Sequence, residues 1–280
     1  MLSSIIYHEK KERVNNDAPM LFKMYHTQIP KEQTKKEEVI VILRGHIRDG
    51  FENDKMYNFI KKILEISPIK LYIHTWIENN GKQSWKNYDK KFEHVHNTSI
   101  VTDTLIKDYF REIPIEYILI ENDEQIQING EKTGFICMSK CPIIAWKNMW
   151  HGIFTIFNLV FTLDTSCSKK TIQTRLDLFS TTNSCTKMFN ENMIWNKVKT
   201  YILYENVDSS PAFLINKLKP GIDNIIFGNF MKLYNLVSLF NKDLDMILSK
   251  YRYITHQEYL VPLVSNLMFN EINLQKAHFI

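Results

Sequence analysis

Five consecutive apolar residues, "VIVIL" at 39–43, followed at once by "RGHIRDGF", constrain this chain more than any other stretch of it. A strand that faces water on one side alternates apolar and polar residues. A run without alternation is covered on both faces, the usual situation of a strand inside a parallel sheet. Beyond the loop, Met56, Phe59, Ile60, Ile63 and Leu64 recur at i, i+3, i+4, i+7 and i+8, the apolar stripe of a helix. "SP" stops that helix. "IKLYI", running into "HTW", then makes the next strand. The unit is β–α–β, whose crossover between parallel strands is right-handed.

The pattern continues along the chain. It predicts a short helix over 102–110, a strand "IEYILIE" from Ile115 and a helix over about 145–160. Strands "TIQTRLDLF" at 171–179, "TYILYE" at 200–205 and "NIIFG" follow. Two C-terminal helices complete the reading, one after Gly228 and one around "HQEYLVPLVSNLM", which Pro262 should kink or shorten. The expected class is α/β, one domain with a mainly parallel central sheet flanked by helices. Residues 1–37, ending in the charge run "KEQTKKEE", read as a polar N-terminal arm, and 38–280 as the folded domain. A chain of 280 residues, 44% of them hydrophobic, suffices for that core, since a domain this long buries about three quarters of its unfolded surface.

Charge and apolar patterning narrow the partners. The net charge is +4, and the lysines are spread along the chain beside acidic residues. No basic stripe emerges, so nucleic acid is disfavoured as a partner while small anions remain admissible. The longest apolar stretch, "IFTIFNLVFTL", is broken by Thr and Asn and is too short to span a bilayer. The start, "MLSSIIYHEKKERVNN", lacks a signal-peptide core. Four cysteines in a chain of this length read as reduced thiols. The expectation is a cytoplasmic protein without a membrane span.

Ligands of parallel sheets gather outside the carboxyl ends of the strands, where the polar clusters of this chain fall. In "RGHIRDG", Arg44, His46 and Arg48 offer charge and donors, and Gly45 lets the backbone come close. That suits a nucleotide diphosphate, and the alternative is a solvated loop with locally paired arginines. His74 and Trp76 of "IHTW" either hold a base or sugar ring or are packed in the core. In "AWKNMWHG", Trp146, Met149, Trp150 and Ile153 form an apolar stripe, and core packing is the leading reading; the alternative is that Lys147, which lies off the stripe with Asn148, meets a substrate. In "TIQTRLDLF", Gln173, Arg175 and Asp177 share one face. They are either an internal ion pair or a site for a phosphate and its Mg²⁺ or Mn²⁺, with Asp177 as the metal ligand.

Asp223 and "THQEYL" supply late polar groups, His256, Gln257 and Glu258. Glu258 either completes a capping box with Thr255 or acts as the general base of a displacement. "HVH" at 94–96 and "CMSKC" at 137–141 lack the paired short spacings of structural zinc. Neither a Walker loop nor a GxGxxG fingerprint, GxSxG elbow, HExxH or kinase motif is present.

Taken in order, "LRGHIRDGF", "LYIHTW", "WKNMWHGIFTIFNLV", "TRLDLF", "DNIIFGNFMKLYNLV" and "HQEYLV" resemble glycosyltransferases of large DNA viruses. The resemblance runs from about residue 39 to 268. In length and style the chain is similar to the chlorovirus enzymes that build capsid glycans, among them a xylosyltransferase acting on fucose. The resemblance implies a GT-A-like fold and a nucleotide-sugar donor, UDP-xylose first among them, with a glycan hydroxyl as acceptor. A donor half would span about 38–180 and an acceptor half about 181–280. Arg44, Gly45, His46, Arg48, His74 and Trp76 would approach the donor, with Arg175 and Asp177 at its diphosphate and sugar. "R-L-D" stands where an Asp-x-Asp motif would be, one carboxylate short, which leaves Mn²⁺ or Mg²⁺ dependence open. Lys147, His256 and Gln257 would meet the acceptor, and Glu258 or Asp223 would orient or deprotonate it. Two rivals stand beside this reading. One is an S-adenosylmethionine-dependent methyltransferase, which the missing glycine-rich loop disfavours; the other is a non-catalytic glycan-binding protein on a transferase-like fold.

Overall fold

The computed structural model describes residues 37–80, 99–136, 141–164, 169–181, 190–207, 210–213, 224–254 and 257–269. Six strands form one sheet: β1 (Val39–Arg44), β2 (Ile69–Trp76), β3 (Ile115–Glu121), β4 (Lys170–Arg175), β5 (Ala212–Phe213) and β6 (Ile225–Asn229). Their order is β3-β2-β1-β4-β6-β5. β1 runs parallel to both β2 and β4, and β2 parallel to β3, so the mainly parallel sheet expected from the sequence is present. β6 is antiparallel to β4, and β5 to β6.

Among the described residues six helices cover the sheet: α1 (Lys55–Ile66), α2 (Asp103–Phe110), α3 (Ile143–Leu163), α4 (Glu191–Tyr204), α5 (Phe230–Lys250) and α6 (Gln257–Phe269). The continuous run of β1 now has its reason. Val39, Val41 and Leu43 enter a core with α1, α2 and α4, while Ile40 and Ile42 enter a second core with α3, α5 and α6. A central strand of a three-layer fold has no wet face, so no polar residue interrupts it.

The same layering follows from handedness. Chain growth from β1 through β2 to β3 moves one way across the sheet, and α1 and α2 lie on one face. Growth from β3 back to β4 reverses direction, and its crossover helix, α3, lies on the other face. Crossovers of a single hand require that switch.

Two readings of the sequence are corrected. "TYILYE" is not a strand but the last turns of α4. Ile194, Val198, Tyr201 and Ile202 are its buried residues, at i, i+4, i+7 and i+8, and Asn190 caps it by accepting from the Met193 N–H at 2.7 Å. Six residues of alternating Tyr, Ile and Leu mimic a strand only when the preceding three turns are ignored. β4 also stops at Arg175, and residues 176–179 form a turn. Asp177 is therefore not a third residue on a strand face. Pro262 lies inside α6, which is one continuous element. Among the described residues no helix is long and apolar enough to cross a membrane.

Candidate functional site

The order in which the chain adds strands reverses between β1 and β4, and ligands of such sheets bind outside the carboxyl ends at that point. Arg44 and Arg175 are the last residues of these two strands and are partners in register. The loop after β1 folds across this edge. Gly45 takes φ +91°, a left-handed conformation that suits glycine, and its N–H donates to the His74 carbonyl at 3.1 Å. Arg48 also has positive φ, at 53°, uncommon for a residue with a Cβ, and its N–H donates to the Asn79 carbonyl at 2.9 Å. Strained residues of this kind persist where their surroundings over-determine them, and they cluster at functional sites. Gly50 permits the loop to touch the turn after β4, since an added Cβ would lie 2.9 Å from the Leu176 carbonyl oxygen.

Asp177 sits at the centre. Its Oδ1 accepts from Arg175 Nε at 2.7 Å and its Oδ2 from Arg175 Nη2 at 2.8 Å, a two-pronged fork, while Arg48 Nη1 also donates to Oδ2. The carboxylate side chain is 2% exposed. Arg44 is buried as well, and the Gln173 amide, oriented with its oxygen toward it, accepts from Arg44 Nε at 2.9 Å. Asp49 anchors the far side, accepting from the Ser180 hydroxyl and from the Thr181 N–H at 2.9 Å. These bonds and partial burial leave its carboxyl below the usual range: burial pushes it up, and the bonds from Ser180 and Thr181 outweigh that push.

The donor set around Asp177 does not fit a divalent cation. Both oxygens are already taken by guanidinium groups, and a metal would have to displace one of them. Among the described residues no group of three or more His, Cys, Asp or Glu side chains is arranged to hold a metal.

Beside the arginines lies an aromatic and histidine cluster. His46 Nδ1 is 3.0 Å from the Glu78 carbonyl oxygen, and its ring is tilted 6.0 Å from Trp76. Burial, then the nearby Arg48 charge, pushes the His46 pKa down to about 3, so the ring is neutral. His74 and Trp76 lie in the packed interior, edge to face at 4.9 Å, which matches the packing alternative for "IHTW". His74 Nε2 meets Glu121 Oε2 at 2.7 Å, and His151 Nε2 meets Glu121 Oε1 at 3.3 Å. Burial pushes the Glu121 carboxyl up, but the bonds and charge of His151 and His74 override it and hold the pKa at about 2. Gly152 makes room for this cluster: a Cβ there would lie 2.6 Å from His74 Cε1.

Lys147 and Asn148 are buried rather than displayed off the α3 stripe. Lys147 Nζ is committed to the Asn129 carbonyl at 2.7 Å and to Asp245 Oδ2 at 2.8 Å. Asp223 and His256 lie outside the described residues, as do "HVH" and residues 137–140 of "CMSKC". Gln257 and Glu258 open α6, with their side chains outside the description. Cys141 is buried.

Glu121, His151 and Asp49 were not singled out from the sequence. Glu121 was signalled by a charge closing an apolar strand, and His151 by its place one turn after Lys147. Neither signal names the partner across the fold. Comparison with protein-family models, with curated proteins and with solved structures found no match to this chain.

Proposed function

We propose that the chain is a nucleotide-sugar-dependent glycosyltransferase with a GT-A-like fold, of the kind large DNA viruses encode for capsid glycans. The donor would be a uridine diphosphate sugar, UDP-xylose the first to test, and the acceptor a glycan hydroxyl. One observation carries the reading. Arg44 and Arg175 stand side by side at the carboxyl ends of β1 and β4, where the strand order switches, and Arg48 joins Arg175 on the carboxylate of Asp177. Planar guanidinium groups match the oxygens of a diphosphate in pairs.

In transfer, the bond between the sugar's anomeric carbon and the diphosphate oxygen breaks, and the negative charge on the leaving diphosphate grows. Preorganised donors aimed at that charge lower the barrier without reorganising. Arg48 and Arg175 are preorganised by Asp177, and the Arg48 backbone is held by Asn79. In this role Asp177 positions arginines instead of ligating a metal.

The test is donor hydrolysis across UDP-, GDP- and CMP-sugars without added acceptor, together with nucleotide binding. The expected result is release of UDP from one UDP-sugar, and its loss in Arg175→Lys, which keeps charge but not the fork. A folded protein that binds no nucleoside diphosphate at millimolar concentration overturns the reading. The filled oxygens of Asp177 favour a second reading, glycan binding without transfer. It predicts glycan binding with no donor turnover.

A further inference from the structure

A cavity of about 390 Å³ opens between α3, α5 and the segment after β3. Its walls include the amide side chains Gln127, Asn129 and Asn241, the rings of Trp150 and Phe240, and His151. Trp150 and Phe240 stack 4.4 Å apart. The Trp150 Nε1–H is buried without an acceptor. Lys147 and Asp245 also line the cavity and neutralise one another at 2.8 Å, leaving Lys242 as a further charge on the wall. The amide side chains can both donate to and accept from the hydroxyls of a neutral polyhydroxylated molecule, over a floor of buried aromatic rings.

His151 connects this cavity to the arginine edge. The ionised Glu121 carboxylate can only accept, so both nitrogens that face it, His74 Nε2 and His151 Nε2, carry hydrogen. In the neutral imidazole the lone pair is then on Nδ1. For His74 that Nδ1 is sealed against α3 without a partner. His151 is the histidine of the pair that borders open space. Trp76 packs against a ring of each site, stacked on His151 at 6.4 Å and tilted against His46 of the β1 loop at 6.0 Å.

We infer that this cavity is the acceptor subsite for a neutral sugar, and that His151, oriented by Glu121, is the base that takes the proton from the acceptor hydroxyl. The inference rests on the transferase reading for its reaction, not for its binding. The step balances without a further reactant. The acceptor oxygen forms its bond to the anomeric carbon, the carbon–diphosphate bond breaks, the diphosphate leaves with the electron pair, and the hydroxyl proton passes to His151 Nδ1. The charged and titratable groups around His151 are Glu121, bonded to it, His74 on the other side of Glu121, and Lys147, Lys242 and Asp245 on the wall of the same cavity.

Two measurements on the full chain test it. Saturation-transfer NMR with methyl glycosides of common hexoses, pentoses and deoxyhexoses should detect binding of at least one sugar. Asn241→Trp, which fills the cavity, should abolish it while leaving the UDP-induced melting shift in place. His151→Gln should lower transfer at least a hundredfold, on the scale of a lost general base, and remove the acidic limb of the rate profile while the UDP shift stays as in the wild type. No sugar binding in the wild type, or binding untouched by Asn241→Trp, overturns the subsite. Wild-type rates in His151→Gln overturn the base. Loss of the UDP shift in the wild type itself strikes the transferase reading, and leaves the sugar-binding test to decide the cavity alone.

Discussion

Asp177 is a buried carboxylate whose removal leaves two arginines facing each other. Arg48 and Arg175 are 9% and 16% exposed at their side chains, so neither charge can be hydrated without moving. Breaking a buried pair from one side costs about 3–5 kcal/mol, because an uncompensated charge remains. Asp177→Asn should therefore lower the unfolding free energy by that amount, read as a lower urea midpoint at an unchanged slope. An unchanged midpoint would mean that the arginines do not depend on the carboxylate. His46 makes the second prediction at this scale. Its folded pKa is near 3 against an ordinary 6.5, so the unfolded chain binds its proton first as the solution is acidified. Stability is then complete above about pH 6.5 and is lost as the pH falls through the interval toward 3. Glu121, held near 2 against an ordinary 4.5, adds a loss of the same sign only below about 4.5. Between pH 6.5 and 4.5 the slope should belong to the buried histidines, and His46→Asn should reduce it while leaving a part due to His74. A slope that His46→Asn does not change would remove His46 from the account.

α3 and α4 show how elements position the site. Gly152 faces β2, and a methyl group there would press on His74 Cε1 at 2.6 Å and Trp76 Cζ2 at 3.2 Å. Helix propensity favours alanine over glycine by about 1 kcal/mol. The clash should win, because His74 is wholly buried and bonded to Glu121. Gly152→Ala should lose about 1–3 kcal/mol in urea unfolding, the usual range for overpacking. A stabilised Gly152→Ala would show that α3 stands further from β2. For α4, Asn190→Ala removes the cap on the Met193 N–H and should cost about 0.5–2 kcal/mol. Slow hydrogen exchange across Val198–Ile202 in the wild type, faster in Asn190→Ala, would match a helix there and not an edge strand.

At the scale of the molecule, a nucleotide that binds only the folded chain should stabilise all of it. UDP at about a hundredfold over its Kd should add about 2.7 kcal/mol, and S-adenosylmethionine should add nothing. Equal shifts from both, or a shift from S-adenosylmethionine alone, would redirect the search to methyl transfer. The sequence by itself determined the layered α/β plan. "VIVIL" required a strand covered on both faces, the Met56–Leu64 stripe required a helix beside it, and the loop "RGHIRDG" had to fall at a carboxyl end. Those are local facts, set by periods of 2 and 3.6 residues and by a loop that must leave the sheet at a strand end. Only the tertiary structure decided that β4 returns beside β1, which makes Arg44 and Arg175 neighbours across 131 positions of chain. It alone brought Arg48 onto Asp177, beside the local pair with Arg175 that the sequence already offered, and placed Glu121 between His74 and His151. Such pairings are absent from any window of the sequence because they depend on strand order. Strand order is chosen by crossover handedness and by the burial of both sheet faces at once.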